Sequence, residues 1–536
     1  MEQATNNRHT STPDTPRRRI SHSSERYCPV EPWAIRAALA SILLIAFGLR
    51  LVYAFDISPF SDEYITMLAA RSVLQTGTPI LPSGMFYDHG ILFVYAEALF
   101  LGLVGFTVDI ARATTAFIGM LIIALIYRVG RRWFSARTGL IGALLLGLGS
   151  QSILWHGRAR MYCLLELSFL AGVFLLYEGI VLRDSRPYRC AGLVALGGAG
   201  LSHLLAAPYT ATMVVALVVT RMWVHRREEG FPLPARRLWP ELLLGSAAGG
   251  AVLLSRMVGG PWGAAGRVVT DPASLADAGH LLLRGIAWMR LFVDWPNLIW
   301  AVMILTGLVA LSLRLARKKI QQDDPHWSFL LITWAGSVIG LGMFSLWYAD
   351  NYVSGLFPFF YLLSARELDR LCTAIEGTVA SPVARRTAAW LTTAVVTALA
   401  VLLALPSATK TVIFDPMQLD QALRYVRQHW QDGDIVATFA PHASVITLGR
   451  VDFYAQEFAY PHIETAAGRV DIWTGSPVLD SAEELEDVLD EHQRIWLIVH
   501  RENWQIDYSD AYRQWVEAHM VLVFDGTGTL VYLSKL

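Results

Sequence analysis

The chain is 536 residues long, 54% hydrophobic and 17% charged, with a mean hydropathy of +0.40. That much apolar surface excludes a single soluble core and predicts a polytopic α-helical membrane protein. A formal net charge of −1, with basic residues in short clusters between apolar runs, excludes a continuous basic face, so no nucleic-acid partner is expected.

Residues 1–32 are rich in Ser, Thr, Pro, Asn and Arg and too poor in apolar residues to fold. They read as a disordered cytoplasmic tail, with Arg17, Arg18 and Arg19 just ahead of the membrane. The first apolar segment, about Trp33 to Phe55, lacks a small-residue cleavage site and carries Arg50 near its outer side, which predicts an uncleaved anchor.

Further apolar stretches of spanning length follow at about 110–130, 138–155, 160–181, 190–204, 207–224, 239–257, 295–314, 327–347, 352–366 and 387–406. Arg-rich connectors lie at 128–137, 183–189, 221–237, 314–319 and 366–386. All five face the cytoplasm, as basic connectors should, only if the apolar stretch Ile91 to Phe106 does not cross the bilayer. That stretch is short and contains Glu97, and it is expected as an interfacial or re-entrant helix in a first outer loop, 56–109. The reading is about eleven spans in a membrane domain of residues 33–408 of the inner (plasma) membrane, N-terminus cytoplasmic. Cys28, Cys163, Cys190 and Cys372 fall in cytoplasmic or intramembrane positions, and no disulfide is expected.

Beyond about Thr409 a soluble pattern begins. Gln418 to Trp430 has helical spacing, Asp434 to Phe439 and Arg494 to His500 read as strands, and Ser481 opens a helix with Glu484 in capping-box position. Val521 to Phe524 and Thr529 to Leu533 form a hairpin across Asp525-Gly526-Thr527-Gly528. Residues 409–536 are therefore expected as an extracytoplasmic α/β domain, beside the first outer loop.

That loop carries the chemistry. Asp62 and Glu63 stand just past the first span, where carboxylates at a membrane edge are costly unless they have a task, and taking a proton from an acceptor hydroxyl is such a task. The segment FSDEYITMLAARSVLQTGTPILPSGMFYDHGILFVYAEALF, followed by IARATTAFIGMLIIALIYRVGRRWF and WHGRARMYCLLELSFL, resembles bacterial lipid-linked-sugar glycosyltransferases of the GT-C fold, relatives of the protein O-mannosyltransferases and of the lipid A aminoarabinose transferase. The similarity covers roughly residues 33–190 well and the rest by layout. It implies transfer of a sugar from a polyprenyl-phosphate donor to an acceptor hydroxyl of a glycan, lipid or protein, with inversion and with Asp62 as base.

Adjacent residues on a helix point about 100° apart, so Asp62 and Glu63 are expected in different roles, Glu63 orienting the acceptor or a neighbouring Arg. The plain alternative is that both cap a helix starting near Ser61. Arg158 and Arg160, at the start of the span 160–181, form with Tyr162 a candidate site for the donor phosphate; the alternative is anchoring to lipid headgroups. His203 is a further candidate for that site, against satisfaction by a backbone carbonyl, and Tyr87, Asp88 and His89 are candidates to line the acceptor path, against loop packing. Arg256, Arg284 and Arg290 offer further cations in the connector 258–294, whereas the loop Tyr348 to Tyr352 lacks the basic residue that relatives show. No metal-ligand spacing or nucleotide-binding glycine loop is present; no cofactor is required, and a divalent ion held by Asp62 and Glu63 stays open. Competing readings are a lipid-linked saccharide flippase, which repeated halves and intramembrane charges would favour, and a noncatalytic assembly subunit of the cell envelope.

Overall fold

A computed structural model of the chain describes residues 32–225, 288–295, 297–344, 350–457, 462–466, 468–492 and 494–535. The expected span 239–257, the tail, and Arg256 and Arg284 lie outside these residues.

The membrane domain is a helical bundle whose first elements hold a two-helix loop against one end. Helix α1 (Pro32–Asp56) enters the loop, α2 (Ser61–Thr76) and α3 (Ile91–Val104) form it, and α4 (Val108–Trp133) leaves it. At 14 residues α3 spans only about 21 Å, short of a hydrocarbon core of about 30 Å. It packs Val94, Ala98 and Leu101 against Met67, Leu68 and Ala70 of α2. Gly90, which caps α3 at a φ of 73°, admits no side chain: a Cβ there would lie 2.6 Å from that of Met161.

The stretch expected at 138–155 is a broken element, α5 (Ala136–Leu148) and α6 (Ser150–Gly157), bent by 64°. A break frees carbonyls that lipid cannot satisfy. Arg50 of α1 meets that need, donating to Gly147 O at 2.9 Å and to Leu146 O at 3.4 Å. Helix α7 (Tyr162–Tyr177) runs into a π turn, and α8 (Arg186–Ser202) and α9 (Ala206–His225) follow. Helices α10 (Asn297–Ala316), α11 (Asp324–Phe344), α12 (Phe357–Gly377) and α13 (Pro382–Ile413) complete the described bundle.

The described residues bear on part of the count of about eleven spans. Among the described residues six helices are long and apolar enough to cross a membrane, or seven with the bent pair. Expected span 352–366 is a 3₁₀ turn leading into α12, a helix buried from Phe357 to Asp369 in the centre of the bundle; its inward charges Arg366, Glu367 and Asp369 suit protein contacts and not lipid.

The described residues of the five Arg-rich connectors gather at the end of the bundle away from the loop. Arg132 and Arg183 hold Glu178, Arg137 holds Asp369, Arg314 and Arg370 share Asp324, Arg366 holds Asp323, and Arg221 donates to Ile180 O.

The C-terminal domain is a six-stranded sheet of order β5-β2-β1-β6-β8-β7. Strands β1 (Ile435–Thr438), β2 (Phe453–Ala455), β5 (Val478–Leu479) and β6 (Ile495–His500) are parallel, and β7 (Met520–Asp525) with β8 (Thr529–Ser534) adds an antiparallel hairpin; β3 (His462–Thr465) and β4 (Gly468–Asp471) pair separately. Helices α14 (Leu419–Gln428) and α15 (Pro441–Thr447) close one face of the large sheet, and their apolar side chains pack with Tyr64 of α2. At 32 residues α13 is about 48 Å long, longer than the hydrocarbon core, and its final turns lead from the bundle into the domain. There Ala408 and Val412 pack on Tyr53, Ile57 and Ile153.

Candidate active site

The site is built on the first turn of α2. Phe60 is the N-cap and offers no side-chain acceptor; Glu63 supplies the cap by accepting from the Phe60 amide at 2.7 Å. Successive residues then diverge around the helix, and the two carboxylates part completely. Glu63 is fully buried, Asp62 is 43% exposed.

Arg112 of α4 grips Glu63 with a fork, Nε and Nη2 each 2.8 Å from a carboxylate oxygen, and its remaining donors meet the carbonyls of Ala54, Ile57 and Ser58 at the end of α1. The Ala159 amide donates to the same carboxylate at 2.8 Å. Burial raises the Glu63 pKa, but the Arg112 charge and these hydrogen bonds outweigh it and hold the carboxyl below its usual value. Glu63 thus has no lone pair directed at an open surface. Of the two roles expected for Glu63, orienting the acceptor or a neighbouring Arg, its contacts are those of the second: it orients Arg112 and joins the loop to the bundle.

Asp62 meets Arg160, the terminal nitrogen Nη2 lying 3.1 Å from Oδ2. The other terminal nitrogen donates to the Asp62 carbonyl at 2.9 Å, to Thr66 Oγ1 at 3.1 Å and to Tyr87 Oη at 3.3 Å. Arg160 therefore fixes both the backbone and the side chain of Asp62. Tyr87 is buried beneath this pair, and that burial pushes its phenol up despite the nearby Arg160 charge. The other two candidates in that turn pair with each other: Asp88 is buried and its Oδ1 lies 2.7 Å from His89 Nδ1.

Arg158 is held differently. Its guanidinium lies over the rings of Phe60 and Trp155, each centroid 4.7 Å away, and Nε donates to Tyr53 Oη at 3.0 Å. Among the described residues it makes no ion pair, so this half-buried cation is oriented by aromatic rings without being neutralised. Its approach depends on Gly157, where a Cβ would stand 2.3 Å from the Tyr53 ring. The rings of Tyr162 and His203 meet at a tilt of 41°, centroids 5.3 Å apart; Asn351 donates to the Tyr162 hydroxyl, and His203 Nδ1 accepts from the Leu205 amide at 3.1 Å. His203 is thus engaged by a backbone amide, where a carbonyl was the expected partner. Arg290 pairs with Asp294 at 3.6 Å on the surface.

Three participants escaped sequence reasoning. Arg112 was a lone cation in an apolar span, which is itself a signal. Thr66 carried none. His442, from α15 of the C-terminal domain, lies 2.6 Å through Nε2 from Ser61 Oγ and is 2% exposed. Its signal was position, just past the end of a parallel strand. Burial drives its imidazole pKa down to about 4, against the opposing pull of Asp62. Among the described residues no group of three or more His, Cys, Asp or Glu converges as a metal cage.

Residues 88–230 match the family model described as dolichyl-phosphate-mannose-protein mannosyltransferase. No curated protein matches the sequence. By structure the chain is similar to ArnT from Cupriavidus metallidurans, with a TM-score of 0.60 at 15% identity, covering 94% of this chain and 97% of that one. It is also similar to the oligosaccharyltransferase of Archaeoglobus fulgidus, with a TM-score of 0.52 at 13% identity, covering 94% of this chain and 75% of that one. The chain is a multi-pass membrane protein with the GT-C glycosyltransferase fold.

Proposed function

We propose that the protein transfers a sugar from a polyprenyl-phosphate donor to an acceptor hydroxyl on the extracytoplasmic face, with Asp62 as the base. The observation that carries this reading is the pair Asp62–Arg160: one carboxylate at the loop surface, partly exposed, with backbone and side chain both oriented by a buried guanidinium. Similar structures include ArnT bound to undecaprenyl phosphate, at 14% identity and a TM-score of 0.59, and the archaeal oligosaccharyltransferase with a dolichol-phosphate, at 11% identity and a TM-score of 0.51. Both support a lipid phosphate as the donor's leaving group.

The chemistry is a single displacement. The acceptor oxygen bonds to C1 of the sugar as its proton passes to Asp62, the bond from C1 to the phosphate oxygen breaks, and the electron pair leaves with the lipid phosphate. Inversion at C1 follows from one displacement. The departing phosphate needs positive charge, and Arg158, oriented and without a carboxylate partner among the described residues, is placed to supply it. Arg160 holds Asp62 by its backbone and its carboxylate and so aims it. No metal is required in this scheme.

The test uses purified full-length protein and a panel of undecaprenyl-phosphate hexoses and pentoses. Wild type releases undecaprenyl phosphate in the presence of acceptor, whereas Asp62→Asn binds undecaprenyl phosphate normally and does not turn over. Turnover by Asp62→Asn at the wild-type rate overturns the assignment.

A further inference from the structure

We propose that the C-terminal domain is a working part of the active site, with His442 as the residue that positions the first turn of α2 and, through Ser61, the Asp62 carboxylate. The proposal rests on the reading of Asp62 as the base and adds a second polypeptide region to the site.

The sheet explains why this residue is available. From β1 the chain goes to β2 and β5 on one side, and then to β6 on the other. Strand β1 therefore borders the point where the winding reverses, and in open parallel sheets functional groups collect beyond the carboxyl ends of the strands at such a point. Here the chain passes from Thr438 through Ala440 into α15, and His442 emerges in its first turn, facing the loop and not a separate cleft of the domain.

The contact is polar, and its imidazole side is buried. Ser61 Oγ and His442 Nε2 lie 2.6 Å apart; the imidazole meets the ring of Trp473 edge-on at 5.2 Å, and its Nδ1 has no hydrogen-bond partner among the described residues. A buried ring nitrogen left unpartnered costs free energy, and an apolar residue would fill the space without that cost. What the imidazole adds is a directional bond to Ser61, one residue before Asp62. The charged groups that face the ring are Asp62 and Arg160, and burial keeps it neutral beside them.

A second contact acts on the other half of the loop. Ser83 donates through its hydroxyl to Ile472 O and through its amide to Trp473 O, the latter at 3.5 Å. The same turn bears Tyr87, which contacts Arg160. One domain segment, residues 471–476, is itself pinned by Asp471, which accepts from the amides of Trp473, Thr474 and Ser476. The domain thus touches both parts of the loop that meet Arg160, the first turn of α2 and the turn bearing Tyr87.

The experiment compares full-length wild type with His442→Ala, His442→Gln, Ser61→Ala and the double variant of His442→Ala and Ser61→Ala. Amide hydrogen exchange over residues 61–66 is read together with turnover and undecaprenyl-phosphate binding. Loss of one net hydrogen bond should speed exchange there in His442→Ala by roughly 3- to 10-fold. Misaiming Asp62 should lower kcat by roughly 10- to 100-fold with the donor KM unchanged. The Gln amide reaches the Nε2 position and should restore both; the double variant should be no worse than either single one. Wild-type exchange and kcat in His442→Ala, or fully additive losses in the double variant, overturn the proposal. If Asp62→Asn retains turnover, the base assignment fails instead, while the exchange result still reports on the contact.

Discussion

The Glu63 carboxylate and the Arg112 guanidinium form a forked ion pair with both side chains at zero exposure, one residue from a carboxylate that faces outward. Sequence neighbours therefore divide two tasks. Glu63 joins the loop to α1 and α4, which leaves the Asp62 side chain facing outward at the end of a rigid element, where the proposed base is needed.

Glu63→Gln should cost about 3–5 kcal/mol, because Arg112 keeps its charge in a dry site with no counter-charge. Asp62→Asn should unfold within about 0.5 kcal/mol of wild type, as partly exposed substitutions usually do. The depressed Glu63 pKa gives stability that is present above the ordinary carboxyl value and lost as pH falls through the lower folded one. Acid unfolding in detergent should therefore lose that limb in Glu63→Gln.

Arg158→Ala should raise the donor KM by roughly 10- to 100-fold, the worth of a charge-assisted hydrogen bond to phosphate, with a smaller change in kcat. Arg160→Lys should show the reverse pattern: a point charge cannot hold the Asp62 carbonyl, its carboxylate and Thr66 together, so kcat falls more than donor affinity. Equal effects of the two on KM and kcat would refute the division of labour.

Gly157→Ala should destabilise by about 1–3 kcal/mol, since its new methyl meets the buried Tyr53 ring. It should also weaken undecaprenyl-phosphate binding, because Tyr53 orients Arg158. Thermal unfolding and a lipid-binding isotherm on one preparation check both.

Glu97 sits on α3, fully buried, and neither carboxyl oxygen has a hydrogen-bond partner among the described residues. Burial drives its pKa well up, reinforced by the Glu63 charge and opposed by Arg160. A raised carboxyl binds its proton more tightly folded than unfolded, so stability is present below the ordinary carboxyl value and declines as pH rises towards the folded one. Glu97→Leu should raise stability by roughly 1–3 kcal/mol at neutral pH and flatten that decline, measured by unfolding across a pH series.

Element types were legible wherever one period dominated. The hairpin across Asp525 to Gly528 and the Ser481-capped helix appear where turn chemistry and alternation put them. Short β2 and β5 carried too few residues to show alternation and were missed. The stretch 352–366 read as one apolar segment, because apolarity alone shows neither the 3₁₀ turn at its start nor that α12 is lined by other helices and not by lipid. The loop helix α3 was separable from a span by its length and by charge counting. At the site, Asp62 and Arg160 were each visible as single residues, but their 3.1 Å contact links positions 98 residues apart, and the partner of Ser61 lies 381 residues away. No local pattern encodes such pairings.

The long separation between Ser61 and His442 also sets an order of events during synthesis. The ribosome delivers the loop first, then the helices of the bundle, and only after them the imidazole that contacts Ser61. Until then α2 waits without this polar tether, so a nascent chain truncated before β1 would carry Asp62 and Arg160 and still lack the contact to Ser61.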